Sequence, residues 1–233
     1  MATVRDKETN TQKAINAYQE ALKICTVEKY PLYYAHTQNN LGNAYSDLAT
    51  VRDKETNAQK AINAYQEALK IYTVEKYPIE YAQTQNNLGI AYRGLAKVRD
   101  EETNAQKAIN ACQEALKVFT LEKYPFDYAQ TQNHLGNAYS DLATVRDKET
   151  NAQKAINAYQ EALKIYTVEK YPLYYAQTQN NLGITYRGLA KVRDKETNTQ
   201  KAINAYQEVL KVFILEKYPL DYANTQNMVP LQK

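Results

Sequence analysis

Ala49-Thr-Val-Arg-Asp-Lys-Glu-Thr-Asn57 returns almost unchanged from Ala143, and close variants begin at Ala2, Ala96 and Ala190. The spacing is 47 residues each time, so the chain is one unit written nearly five times. A fixed period of this size marks a solenoid, in which no unit buries its apolar side alone and neighbours build the core together. Catalysis gathers unlike groups at one special place, and a chain of copies offers none. The expected class is all-α and non-enzymatic, a solenoid over residues 1–233 with repeats 2–48, 49–95, 96–142, 143–189 and 190–233.

The second copy shows how one unit is built. Thr56 followed by Gln59 fits a capping box, in which each side chain satisfies an orphan N–H of the helix start. From there Ala61, Ile62, Tyr65, Ala68, Leu69 and Tyr72 fall at amphipathic helical spacing. This helix is expected over about 57–77, because Pro78 forbids continuation and pushes Tyr77 into an extended conformation. Pro78 then suits the entry to a second helix, about 79–99, whose buried stripe is Tyr81, Leu88, Tyr92 and Leu95. Links of only a few residues force neighbouring helices antiparallel.

Glycine and proline usage supports this. Gly42, Gly89, Gly136 and Gly183 are equivalent and sit in mid-helix, where glycine costs roughly 1 kcal/mol relative to alanine. Close approach of a neighbouring helix is the natural compensation. Pro31, Pro78, Pro125, Pro172 and Pro219 all occupy the same hinge. Alanine permits tight packing, and 22 tyrosines with no tryptophan supply the bulk.

Charge narrows the partners. The 29 basic and 26 acidic residues are well mixed, without the clustered basic face of a nucleic-acid binder. No apolar run approaches the ~20 residues that span a bilayer. Cys25 and Cys112 stand where other copies carry aromatic residues, at different positions in non-adjacent repeats, so they are not expected to pair. A cytoplasmic protein is the expectation.

Leu88-Gly89-x-x-Tyr92 resembles the first-helix signature of tetratricopeptide (TPR) repeats, and Ala61-x-x-x-Tyr65-x-x-Ala68-Leu69 the second. The common repeat of that family has about 34 residues. The surplus here lies between Tyr92 and Ala108 and between Leu69 and Leu88, and is expected to lengthen the helices. The stretch Pro78, Ala82, Asn86, Asn87, Leu88, Gly89 is similar to the longer repeats of kinesin light chains and their microbial relatives. The resemblance implies an α-α superhelix that binds a peptide or helical segment of a partner protein on its concave face, without cofactor.

Carried onto the Leu-Gly motif, the inward positions include Asn39, Asn43, Ser46 and Asp47, then Gln83, Asn86, Ile90 and Arg93. They continue with Gln130, Asn133, Asn137, Ser140 and Asp141, then Gln177, Asn180, Ile184 and Arg187. The peptide-binding candidates are Asn39, Asn43, Asn86, Arg93, Asn133, Asn137, Asn180 and Arg187. An asparagine amide both donates and accepts, so it pairs with any extended backbone. The other reading is that each asparagine bonds the adjacent helix and fixes repeat stacking. Ser46-Asp47 and Ser140-Asp141 alternate with Arg93-Gly94 and Arg187-Gly188, which makes either alternating charged zones or exposed cross-repeat contacts of little worth. Asn39, Gln83, Gln130 and Asn133 stand where a clamp for a C-terminal carboxylate would need cations, so a chaperone tail is not the expected ligand.

His36 and His134 are one-off replacements, and neither has the spacing of a metal site. Met1 to Arg5 read as the tail of a first helix whose body is missing, and Pro230 is expected to abort the last Leu-Gly helix. Neither end carries a dedicated polar cap, so the alternative function is a spacer or assembly element that self-associates end to end.

Overall fold

The computed structural model describes residues 4–228, with side chains from 6 onward, and these form ten helices and no strand. They are α1 (Val4–Leu22), α2 (Pro31–Ala49), α3 (Lys54–Ala68), α4 (Pro78–Ala96), α5 (Glu101–Leu116), α6 (Pro125–Val145), α7 (Lys148–Leu163), α8 (Pro172–Leu189), α9 (Lys195–Leu210) and α10 (Pro219–Gln226). Two compact units divide the chain, Met1–Phe119 and Thr120–Lys233. In the first, α1 to α5 pack each on the next, and α2 also touches α4. In the second, α6 to α10 do the same, and α6 touches α8.

Proline starts the even-numbered helices as expected. It stands at the first helical position of α2, α4, α6, α8 and α10, and the tyrosine before it leaves the helical region without reaching the extended conformation expected of it, as at Tyr77 with φ −138° and ψ 62°. The odd-numbered helices start differently from the expectation. Helix α3 begins at Lys54, so Thr56 lies inside its first turn and makes no capping box with Gln59. Gln59 Nε2 donates instead to Asn63 Oδ1 at 2.9 Å. The turn is made by Asp53, left-handed at φ 42°, and is locked by buried Asn57, whose Nδ2 donates to the Arg52 carbonyl at 2.8 Å. Asp tolerates this conformation better than most residues because its short side chain bonds locally. The device recurs at Asp100, Asp147 and Asp194, with Asn104, Asn151 and Asn198 reaching back at 2.8 Å.

Helix α3 ends at Ala68 rather than near Tyr77. The chain turns there because Tyr72 is drawn inward against Ala35 and Ala68, and because Thr73 organises the next turn. Lys76 N donates to Thr73 Oγ1 at 3.3 Å, and Tyr77 N to the Thr73 carbonyl at 2.9 Å. The surplus over a 34-residue repeat is therefore partly loop. Helix α4, expected to reach Arg99, closes at Ala96. At the N-terminal side Val4 and Arg5 open α1 instead of ending an earlier helix, and Asp6 sits in its first turn, where the helix dipole favours an acid. Pro230 lies outside the described residues.

The mid-helix glycines are sockets. A Cβ at Gly42, Gly136 or Gly183 would lie 2.6 Å from Cε1 of Tyr65, Tyr159 or Tyr206, each projecting from the following helix. Gly89 holds Cys112 Sγ the same way, at 2.8 Å from its would-be Cβ. Ring burial of this kind stabilises by about 2 kcal/mol per side chain, which outweighs the helical cost of glycine. In the first unit the sockets belong to a core containing Ile15, Leu41, Leu48, Ile62, Tyr65, Leu88 and Leu95. In the second the core holds Ile156, Tyr159, Leu182, Tyr186, Leu189 and Tyr206.

Candidate functional site

Within each unit the Leu-Gly helices lie side by side, joined by polar rungs. Between α2 and α4, Thr84 Oγ1 donates to Asn39 Oδ1 at 3.1 Å, and Asn87 Nδ2 donates to Asn43 Oδ1 at 3.1 Å. Between α6 and α8, Thr178 Oγ1 donates to Asn133 Oδ1 at 3.3 Å and Asn181 Nδ2 to Asn137 Oδ1 at 2.9 Å. Ser140 Oγ and Thr185 Oγ1 pair at 3.2 Å. Asn39, Asn43, Asn133 and Asn137 thus each accept a bond from the next Leu-Gly helix of their unit. Asn86, Asn133 and Asn137 are buried, Asn39 and Asn180 half-buried, and Asn43 exposed.

A second polar contact is made in some copies and not in others. Tyr65 Oη donates to Asn43 Oδ1 at 2.8 Å, and Tyr159 Oη to Asn137 Oδ1 at 2.9 Å. The alternate copies carry Ile90 and Ile184 in place of these asparagines. Opposite Ile184, the buried Tyr206 hydroxyl has no partner. The copy with Ile90 has Cys112 instead of tyrosine, so no hydroxyl is stranded there. The sequence signal of this exchange is that Cys112 and Ile90 replace tyrosine and asparagine in the same pair of helices. Burial pushes the Cys112 thiol up to about 12, against a smaller opposing pull from Arg93, so it is held neutral. Burial also raises the Tyr65 phenol, with the Asp47 carboxylate adding to the shift.

The exposed side of the Leu-Gly helices carries other residues. Gln83, Gln177 and Arg187 are exposed, Arg93 is half-buried, and Ile90 and Ile184 are each 39% exposed. Each unit pairs one helix bearing Ser-Asp (α2, α6) with one bearing Arg-Gly (α4, α8). Beside them lie two equivalent clefts that sequence reasoning missed. One, about 310 Å³, lies where α2, the start of α3 and α4 meet. The other, about 280 Å³, lies where α6, the start of α7 and α8 meet. Gly94 and Gly188 line them, and these two glycines outside the Leu-Gly motif were the available signal.

His36 is exposed and sets its ring edge to face against Tyr72 at 6.1 Å. Among the described residues no group of three His, Cys, Asp or Glu is placed to hold a metal ion, and no helix is long and apolar enough to cross a membrane.

No protein-family model matches the sequence, and no curated protein matches it. Among solved structures, the chain is similar to the crystal structure of MamA, with 22% identity and a TM-score of 0.57 over 91% of this chain and 95% of that one. It also aligns with BtubC (BKLC) from P. vanneervenii, at 17% identity and a TM-score of 0.48 over 98% of this chain and 89% of that one. Helices packed in adjacent pairs, glycine sockets filled from the following helix and the likeness to MamA agree on one architecture: the chain has a TPR-like α-α repeat fold.

Proposed function

We propose that the chain is a non-catalytic scaffold that binds a peptide or helical segment of a partner protein on the exposed side of its Leu-Gly helices. The observation that carries this reading is the division of labour on those helices. Their amides are tied to neighbouring helices, while aliphatic Ile90 and Ile184 stay exposed beside Arg93 and Arg187. Scattered single apolar residues need no explanation, but the same pairing of an isoleucine and an arginine next to a cleft occurs once in each unit. Asn39, Asn43, Asn133 and Asn137 then act mainly beneath the ligand, holding the helices in register, and Asn43 also reaches the surface.

The test keeps the ladder intact. Native chain and an Ile90→Glu, Ile184→Glu variant would be used to capture partners from lysate, with Gln106→Glu, Gln153→Glu on exposed sides of α5 and α7 as the control. A partner retained by native and control chains, and depleted at least ten-fold by the isoleucine variant, supports the reading. Equal retention by all three sinks it.

A second reading, end-to-end association, is favoured by exposed apolar residues near both ends of the described chain. Ile24 is 69% exposed and Leu220 79% exposed. A mass by light scattering that rises with concentration, and falls back with Ile24→Glu or Leu220→Glu, is its expected signature.

A further inference from the structure

Gly94 and Gly188 differ from the socket glycines: a Cβ at either would meet nothing within 4 Å. Each stands in a helix near its end, where glycine costs up to roughly 1 kcal/mol against alanine and no packing partner repays it. What each does is keep a cleft open. The first cleft is floored by Ala49, Ala58, Ile90 and Ala91, and the second by Ala143, Ala152, Ile184 and Leu189. At about 310 and 280 Å³ they sit at the lower limit of small-ligand pockets. That size suits one or two side chains rather than a cofactor.

Their charge is one-sided. Lys54, Arg93 and Lys97 line the first cleft, Lys148 and Lys191 the second, and no acidic residue lines either. Two acids beside the lining lysines are engaged with arginines outside the clefts. Asp53 accepts from Arg52 Nε at 3.0 Å, and Asp147 from Arg146 Nε at 3.2 Å. Asp47 and Asp141 follow the lining serines on the same helices. The hydroxyls of Thr50 and Thr144 donate to the carbonyls of Asp47 and Asp141 at 2.7 Å, which leaves Lys54, Lys148 and Lys191 as donors for a ligand. An apolar floor under ammonium groups calls for a ligand with an aliphatic stem and a terminal anion.

We propose that the two clefts are equivalent receptors for acidic side chains of a bound partner segment. Each takes one glutamate, its methylenes on the alanine and isoleucine floor and its carboxylate among the lysines. The inference rests on the reading that a partner segment lies on the Leu-Gly helices, and it adds the chemistry that segment must carry: two acidic anchors with aliphatic neighbours. The exposed cations make the attraction salt-dependent.

The experiment is a heteronuclear NMR titration of the whole chain with acetylated, amidated Ala-Leu-Glu-Leu-Ala, and with the same peptide carrying Gln or Lys in place of Glu. The Gly94 and Gly188 amide signals report the two clefts separately. The glutamate peptide is expected to shift both in a saturable way, at least five-fold more tightly than the glutamine peptide, and to lose that advantage in 0.5 M NaCl. Gly94→Leu fills the first cleft and should abolish the responses of Ala58 and Ile90 while leaving Gly188 responsive. Gly94→Ala, which leaves most of the cleft open, controls for folding. Equal affinity for the glutamine peptide, or no shift at either glycine up to 10 mM peptide, overturns the proposal. Shifts at Gln83 and Gln177 without any at the two glycines would overturn the receptor while leaving the partner-binding face standing.

Discussion

The tyrosine hydroxyls under the Leu-Gly helices decide what each copy tolerates. Tyr159 Oη is buried and bonded to Asn137, whereas Tyr206 Oη is buried opposite Ile184 and bonded to nothing. A made hydrogen bond contributes about 1 kcal/mol net, and an unmade buried one costs about that or more. Tyr159→Phe should therefore lose about 1 kcal/mol in urea unfolding, while Tyr206→Phe should be neutral or gain up to about 1 kcal/mol. Equal losses at both sites would show that the orphaned hydroxyl finds a partner in solution. None of this was legible from repetition alone. The two tyrosines share the same immediate neighbours, Lys-Ala-Ile-Asn-Ala before and Gln-Glu after, and the partner of the hydroxyl is set by the asparagine-to-isoleucine change 22 residues earlier.

Element boundaries show how far local pattern reaches. Proline entry and the apolar stripe depend on neighbouring residues, so the even-numbered helices follow the sequence to within a few residues. The odd-numbered helices begin from a left-handed aspartate, and the Thr-x-x-Gln pattern that suggested a capping box lies inside the first turn. The polar side chain that matters there is Asn57, because it alone satisfies the Arg52 carbonyl from a buried position. Asn57→Ala should cost about 1–2 kcal/mol by stranding that carbonyl. Thr56→Ala, at an exposed position, should stay within about 0.5 kcal/mol. The reverse order, read from paired urea melts, would restore the capping box. The helix ending at Ala68 was misplaced for a related reason: the pull on Tyr72 comes from Ala35 of an earlier repeat, which no local window contains.

For the whole molecule, repetition gave the architecture, and differences between copies gave the candidate site. The exposed isoleucine and arginine positions were marked in the sequence, but their separation from the bonded asparagines depends on helix rotation. The clefts needed the contact of three helices. Tyrosines buried or half-buried at several positions of the repeat also produce a collective pH response. Burial is the leading cause that raises Tyr45, Tyr65, Tyr92, Tyr139, Tyr159's counterpart Tyr206, and Tyr72 and Tyr175, the last two up to about 12. A group whose pKa rises on folding favours the folded state fully below its unfolded value and loses that contribution as pH climbs towards the folded value. Stability should therefore stay level from these groups up to about pH 9 and fall between about 9 and 12, as Cys112 and then the phenols ionise in the unfolded chain. Urea midpoints unchanged across that window would show that these groups are open to water in the folded protein.

The claim that the Leu-Gly face receives a partner is tested most directly by placing a photocrosslinking amino acid at position 90 or 184, and separately at position 106 or 153, and identifying the trapped peptides by mass spectrometry. The account predicts that positions 90 and 184 trap the same acidic partner segment and that 106 and 153 do not. Trapping of that segment equally from 106 and 153, or of nothing but further copies of this chain from 90 and 184, would contradict it.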